Sequence, residues 1–214
     1  MSTTNKSVDK SVRFWNAFAR RYARSPIKDQ EAYQKKLTLT QRYLRADGDM
    51  LEFGCGTGST ALLHSTYVKD VLAIDNAHKM IDIANQKLAD SGFDNVVFEC
   101  TTVLELPHPP ESFQAILGLN VLHLVDEWQA TIQRCYELLE PDGVFVTGTA
   151  CLKGKMGFFS RFLLPTLGKL GFVPKLQLFD TSTLTKAMTD VGFEIIYHNT
   201  LNQNDTNQFI IAQK

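Results

Sequence analysis

An apolar strand that ends in an acid and runs into glycines at every second position, Leu51-Glu52-Phe53-Gly54-Cys55-Gly56-Thr57-Gly58, restricts this chain more than any other stretch. Alternating glycines let the backbone turn sharply, adopt positive φ and admit a ligand to van der Waals contact. The spacing differs from the Gly-x-Gly-x-x-Gly of dinucleotide-binding turns, which set a pyrophosphate on a helix N-terminus. It also lacks the Gly-Lys-Ser/Thr ending of a nucleotide phosphate loop. Taken alone, the run predicts a tight strand-to-helix turn able to hold a nucleoside.

A second acid stands about twenty residues further on, the distance at which a strand-end carboxylate reaches ribose hydroxyls in such folds. Asp70-Val71-Leu72-Ala73-Ile74-Asp75 is a short apolar run, read as a buried parallel strand with Asp75 at its C-terminal end. The following helix carries Ala77, Met80, Ala84 and Leu88 on one face. Considered singly, Asp75 has the alternative of a helix cap, and Met80 alone reads first as core.

The rest of the chain alternates in the same manner. Trp15, Phe18, Ala19 and Tyr22 have amphipathic spacing and predict a helix over 10–23, broken by Ser25-Pro26. A second helix, with Tyr33, Leu37, Thr40 and Leu44 on one face, is expected to run to Asp47-Gly48. Strands are expected at 50–53, 71–75, 96–100, 113–118, 144–149, 193–199 and 208–212, and helices at 58–66, 77–90, 126–139 and 181–191. The polar segment Asn202–Asn207 suits a hairpin between the last two strands. Alternation of this kind implies an α/β fold, a doubly wound, mostly parallel sheet with right-handed crossovers. The domain organisation follows: an N-terminal helical cap over 1–49, then a core over 50–214 with an irregular insertion at 151–178.

Together these stretches resemble one family. Glu52-x-Gly54-x-Gly56-x-Gly58 is similar to the first motif of the class I S-adenosylmethionine (SAM) dependent methyltransferases. Leu106-Pro107-His108-Pro109-Pro110-Glu111-Ser112-Phe113-Gln114-Ala115-Ile116 resembles their "LPFPDxSFDxV" stretch, and Asn120-Val121-Leu122-His123-Leu124 their "xxLHH" segment. Leu138-Leu139-Glu140-Pro141-Asp142-Gly143 resembles "LLKPGGxL". The resemblance extends over nearly the whole chain and is nearest to the small-molecule enzymes of the ubiquinone/menaquinone-biosynthesis type. It implies a Rossmann-like seven-stranded sheet with a terminal antiparallel hairpin and a lid over the acceptor.

The cofactor implied is SAM, whose ammonium and carboxylate need no phosphate-binding base. The resemblance assigns the backbone of Gly54 and Gly56 to the methionine end, Asp75 to the ribose, Met80 to the adenine face and the Asn120 carbonyl to the ammonium. Tyr22 stands where relatives bring a tyrosine to the SAM carboxylate, with a core aromatic as the equal alternative. Many relatives receive the adenine amino group on an Asp-Ala pair; here Thr102-Val103 replaces it, and Thr102 Oγ1 is the acceptor on offer. Methyl transfer is an in-line displacement that positioning alone accelerates greatly. A base is required only for a protonated acceptor, and His123 is the candidate, against the alternative of a structural histidine.

Composition narrows the acceptor. The formal net charge of −1 conceals a basic 1–49, an acidic 50–150, and a 151–178 carrying Lys153, Lys155, Arg161, Lys169 and Lys175 without an acid. Residues 156–172 are aromatic and basic, and predict a mobile cover for an apolar or amphipathic small molecule, or a peripheral membrane contact; a helix packed on the core is the bland alternative. No base-flipping motif or nucleic-acid module accompanies the basic segments, which disfavours nucleic-acid partners. Four scattered cysteines without CxxC spacing argue against a metal site or disulfides and for a reducing cytoplasm. A SAM-binding regulator without turnover and a protein methyltransferase remain as alternative functions.

Overall fold

Strands buried on both faces need a helical layer on each side, and the chain supplies both. The computed structural model describes residues 3–27, 29–151, 176–200 and 207–214, with 3–9 as backbone alone. Strands β1 (Asp49–Phe53), β2 (Asp70–Ile74), β3 (Val96–Glu99), β4 (Phe113–Leu119), β5 (Leu139–Ala150), β6 (Glu194–Thr200) and β7 (Asn207–Gln213) form one sheet. Its order is β3-β2-β1-β4-β5-β7-β6. Pairings from β3 through β5 are parallel, and β7 runs antiparallel to both β5 and β6. The Rossmann-like sheet with a terminal antiparallel hairpin is therefore as expected.

Helices are α1 (Thr3–Arg24), α2 (Gln30–Gln41), α3 (Ser59–His64), α4 (His78–Ser91), α5 (Trp128–Leu138) and α6 (Thr181–Asp190). Alternate residues of each strand enter opposite cores. Leu51, Phe53, Phe145 and Ile210 pack with Ile132 and Leu138 of α5 and Leu184 and Met188 of α6. Met50, Leu117, Val146 and Phe209 pack with Ala61 of α3 and Ile81 and Ala84 of α4. Strand order reverses beside β1, which lies between β2 and β4, so the crevice at the C-terminal ends of β1 and β4 is the expected ligand position.

Two helix starts are secured by their own carboxylates. Asp29 Oδ1 accepts from the Ala32 amide at 2.9 Å before α2, and Asp180 Oδ1 from the Thr183 amide at 2.8 Å before α6. Ahead of α4 stands Ala77, which has no capping side chain. There α1 supplies the acceptor in trans, with the Lys79 amide donating to Asn16 Oδ1 at 2.9 Å.

Several boundaries differ from expectation for identifiable reasons. α2 stops at Gln41 instead of continuing to Asp47-Gly48. The buried Gln114 side chain of β4 donates to the Tyr43 carbonyl at 3.0 Å and accepts from the Arg45 amide at 3.2 Å, taking backbone groups a longer helix would need. β5 begins at Leu139, ahead of Pro141-Asp142-Gly143, because Leu139 pairs with Phe113 across an irregularity in register. Short 3₁₀ turns at Val103–Glu105 and Leu122–Leu124 were not anticipated, being shorter than any apolar period can register. Residues 156–172 and the link 202–206 lie outside the described residues. Among the described residues no helix is long and apolar enough to cross a membrane.

Candidate functional site

The turn after β1 is built from alternating left-handed glycines, with φ of 63° at Gly54 and 54° at Gly56. Gly54 admits no other residue: an added β-carbon would lie 2.3 Å from Cγ2 of Val121. The turn is tied to the neighbouring strand by the Cys55 amide, which donates to the Ile74 carbonyl at 3.0 Å. Asp75, at the end of β2, completes the frame. Its Oδ2 accepts from the Gly56 amide at 3.0 Å and its Oδ1 from the Ala77 amide at 2.9 Å. Each carboxylate oxygen keeps lone-pair capacity for a further donor. Burial raises the Asp75 pKa, and those two amides act in the opposite direction.

Beneath the turn lies Glu52, 3% exposed, whose Oε2 has no hydrogen-bond partner. Burial, assisted by Asp75, pushes its carboxyl up to about 8. The same charges reach upward: desolvation raises the Tyr22 phenol, followed by Glu52 and Asp75. Tyr22 nevertheless keeps 47% of its surface in solvent, so it forms a wall between the site and the outside. Its Cε1 lies 3.6 Å from the point a β-carbon on Gly56 would occupy.

Tyr22, Gly54, Gly56 and Asp75 border one cavity of about 220 Å³, and Glu52 stands behind its lining. Of the residues singled out in the sequence, Tyr22, Gly54, Gly56, Asp75, Met80, Thr102 and Asn120 line it, and His123 does not. Met80 also packs with Ala19, Ala77 and Trp15, so its structural and ligand-facing readings coexist in one side chain. Thr102 Oγ1 donates to Glu105 Oε2 at 2.9 Å and retains acceptor capacity. Asn120 follows β4 with φ of 58°, an uncommon conformation for a residue with a side chain. Its amide donates to the Gly148 carbonyl and its Oδ1 accepts from Asn207 Nδ2. His123 has a buried Nδ1 without a partner, and burial lowers its pKa to about 4.

Sequence reasoning missed several participants. Ser11 and Trp15 of α1 enter the lining together with Tyr22, which only the docking of α1 on α4 reveals. Lys87 of α4 donates to Thr57 Oγ1 at 2.9 Å and Ser59 Oγ at 2.8 Å, clamping the far side of the turn. Its helical spacing from Met80 was legible; the hydroxyls it meets were not. Among the described lining residues the charged side chains are Asp75, Asp126 and Glu127, all acidic.

That donor set fits SAM. Left-handed glycine backbone suits a close-lying amino-acid end, a carboxylate with spare lone pairs suits the ribose, and a lining whose described charged side chains are all acidic suits a cationic sulfonium and ammonium. A phosphate-bearing nucleotide would meet acids and no base.

Comparison with known proteins agrees. The profile of the family described as "Methyltransferase domain" matches residues 50–143. The chain is 30% identical over 102 residues to the uncharacterized methyltransferase YcgJ of Bacillus subtilis, spanning 48% of this chain and 40% of that protein. It is 31% identical over 186 residues to the ubiquinone/menaquinone biosynthesis C-methyltransferase UbiE of Coxiella burnetii, covering 77% of this chain and 74% of that protein. Among solved structures, a SAM-dependent methyltransferase from Mesorhizobium loti superposes with a TM-score of 0.69 at 19% identity, covering 87% of this chain and 99% of that one. At that identity the likeness carries the fold alone.

Proposed function

We propose, from the premise that this chain belongs to the class I SAM-dependent methyltransferases, that it moves a methyl group from SAM to a small molecule. The observation carrying the proposal is the convergence of the Gly54–Gly56 turn, Asp75 and Asn120 on one cavity whose described lining holds acids and no base. The donor supplies an electrophilic methyl on a sulfonium, and transfer in line with the carbon–sulfur bond leaves a neutral thioether.

In this reading the Gly54 and Gly56 backbone holds the methionine end, and Asp75 accepts from the ribose hydroxyls through the lone pairs its two amide bonds leave. Asn120 turns its carbonyl toward the ammonium, and Tyr22 closes the cavity above Gly56 and donates to the carboxylate. Met80 packs on one adenine face, while Thr102 Oγ1 accepts from the ring's amino group. Glu52 offsets the ligand's positive charge from below. Positioning carries most of the rate, because displacement at a sulfonium develops no new charge for the protein to stabilise. UbiE is named for ubiquinone/menaquinone biosynthesis, and the 27-O-demethylrifamycin SV methyltransferase of Amycolatopsis mediterranei, to which the chain is also similar, for a small-molecule acceptor, which supports the acceptor class.

The test is a coupled assay for S-adenosylhomocysteine release over a metabolite panel, run once SAM binding is measured. Acceptor-dependent release is expected for at least one small molecule and is lost in Asp75→Ala. Saturable SAM binding with no release across phenols, enols, amines and thiols would favour a regulator without turnover.

A further inference from the structure

We propose, building on the reading just given, that Asn16 is a positioning residue for the donor: by capping α4 from α1 it pins α1 over the cavity, so that docking of α1 and binding of SAM depend on one another. The start of α4 lacks a cap of its own. Ala77 occupies the N-cap position and offers no side-chain acceptor, which the first-turn amides of a helix require. The Ala77 amide is taken by Asp75 Oδ1 at 2.9 Å, and the Met80 amide turns back to the Ala77 carbonyl at 2.9 Å. The Lys79 amide is one that an N-cap side chain ordinarily receives. Here Asn16 Oδ1 receives it at 2.9 Å, from 63 positions earlier in the chain.

This bond sits where the two helices meet the donor cavity. Next to Lys79 in sequence is Met80, 2% exposed and part of the lining. Next to Asn16 is Trp15, whose ring meets that of Tyr22 edge to face at 6.2 Å, and both rings line the same cavity. A ligand filling the cavity therefore touches α1 and α4 together. The apolar contact between these helices is a cluster of Ala19, Ala77 and Met80, with Trp15 and Ile83 beside it, separate from the two cores that flank the sheet. A helix held by such a satellite opens more readily than one seated in a main core. A ligand that binds better to the docked arrangement holds α1 down, and the coupling is reciprocal. Losing an N-cap acceptor shifts a helix equilibrium by about fivefold, and the apparent affinity falls with the fraction of chains that remain docked.

The test combines calorimetry and hydrogen exchange on the full-length protein, with S-adenosylhomocysteine as the probe. Saturating S-adenosylhomocysteine is expected to slow exchange of the α1 amides in the wild type by about tenfold. Asn16→Ala should weaken S-adenosylhomocysteine binding roughly threefold to fivefold and speed α1 exchange in the ligand-free protein by a similar factor, while the strands keep their protection. Asn16→Asp retains an acceptor for the Lys79 amide and should restore both. A cap that serves stability alone would leave the affinity unchanged in Asn16→Ala, and that result would overturn the proposal. So would α1 exchange in the wild type that does not respond to the ligand, or an Asn16→Asp as weak as Asn16→Ala. Absence of S-adenosylhomocysteine binding to the wild type would overturn the donor reading itself.

Discussion

Replacing Glu52 by Gln removes a buried titratable group while leaving the volume nearly unchanged, so its consequences can be worked out with few other terms. Burial and the neighbouring Asp75 push the Glu52 carboxyl from its ordinary 4.5 up to about 8. A carboxyl whose folded pKa lies above its unfolded value contributes stability that is fully present below pH 4.5 and is lost as pH rises through about 8. The ligand-free wild type should therefore lose stability across that window relative to Glu52→Gln, by about 1.4 kcal/mol per pH unit. Near neutral pH the difference amounts to roughly 3 kcal/mol, or about 6–12 °C in Tm for a chain of this size. His64 and His123 titrate in both proteins and cancel from the difference. Thermal melts from about pH 5 to about pH 9 read it directly. A Tm difference that does not grow with pH, or a variant less stable than wild type in alkali, would refute the reasoning. The same argument has a ligand counterpart: a cation bound above Glu52 favours its ionised form, so SAM binding to the wild type releases a proton near neutral pH and binding to Glu52→Gln does not. Calorimetry in buffers of different ionisation enthalpy measures that release.

Three further outcomes are expected. Asp75→Asn keeps one acceptor for the two amides that Asp75 now holds, and should weaken SAM binding by about tenfold or more in calorimetry, since charge-assisted bonds to backbone and ribose are lost together. Gly54→Ala drives a β-carbon to 2.3 Å from Val121 at a φ of 63°, and should cost about 3 kcal/mol in denaturant unfolding as well as abolish SAM binding. Burial lowers the His64 pKa from 6.5 to about 4, so its contribution is fully present above pH 6.5 and is lost as pH falls through that range. Melts of His64→Asn, which retains a donor for the Thr60 carbonyl, should show a shallower acid limb, by about 2 kcal/mol near pH 5.

What could be read in advance divides along the range of the interactions. The glycine turn and Asp75 were legible because strand, turn and next strand end are close in sequence and each carries its own chemical requirement. The hairpin at the end was legible because polar link and apolar strands alternate sharply. Contacts between distant segments were not. Asn207 meets Asn120 across 87 positions, and Gln114 stops α2 from 71 positions away. Nothing in the local pattern around either residue marks those pairings. Glu52 was legible as part of a motif, while its lack of a partner is a property of the packed core alone. His123 carries the right side chain for a base at the right strand end, but the 3₁₀ turn at Leu122–Leu124 presents Val121 and Leu124 to the cavity instead.

The central claim is that the acidic cavity beside the glycine turn binds SAM, and titration calorimetry of the ligand-free protein tests it most directly. One saturable SAM site per chain is expected, with S-adenosylhomocysteine competing for it and ATP and NAD failing to compete, because their phosphates would face Asp75 without a compensating base among the described lining residues. Absence of saturable SAM binding, or displacement of SAM by ATP as readily as by S-adenosylhomocysteine, would contradict the account.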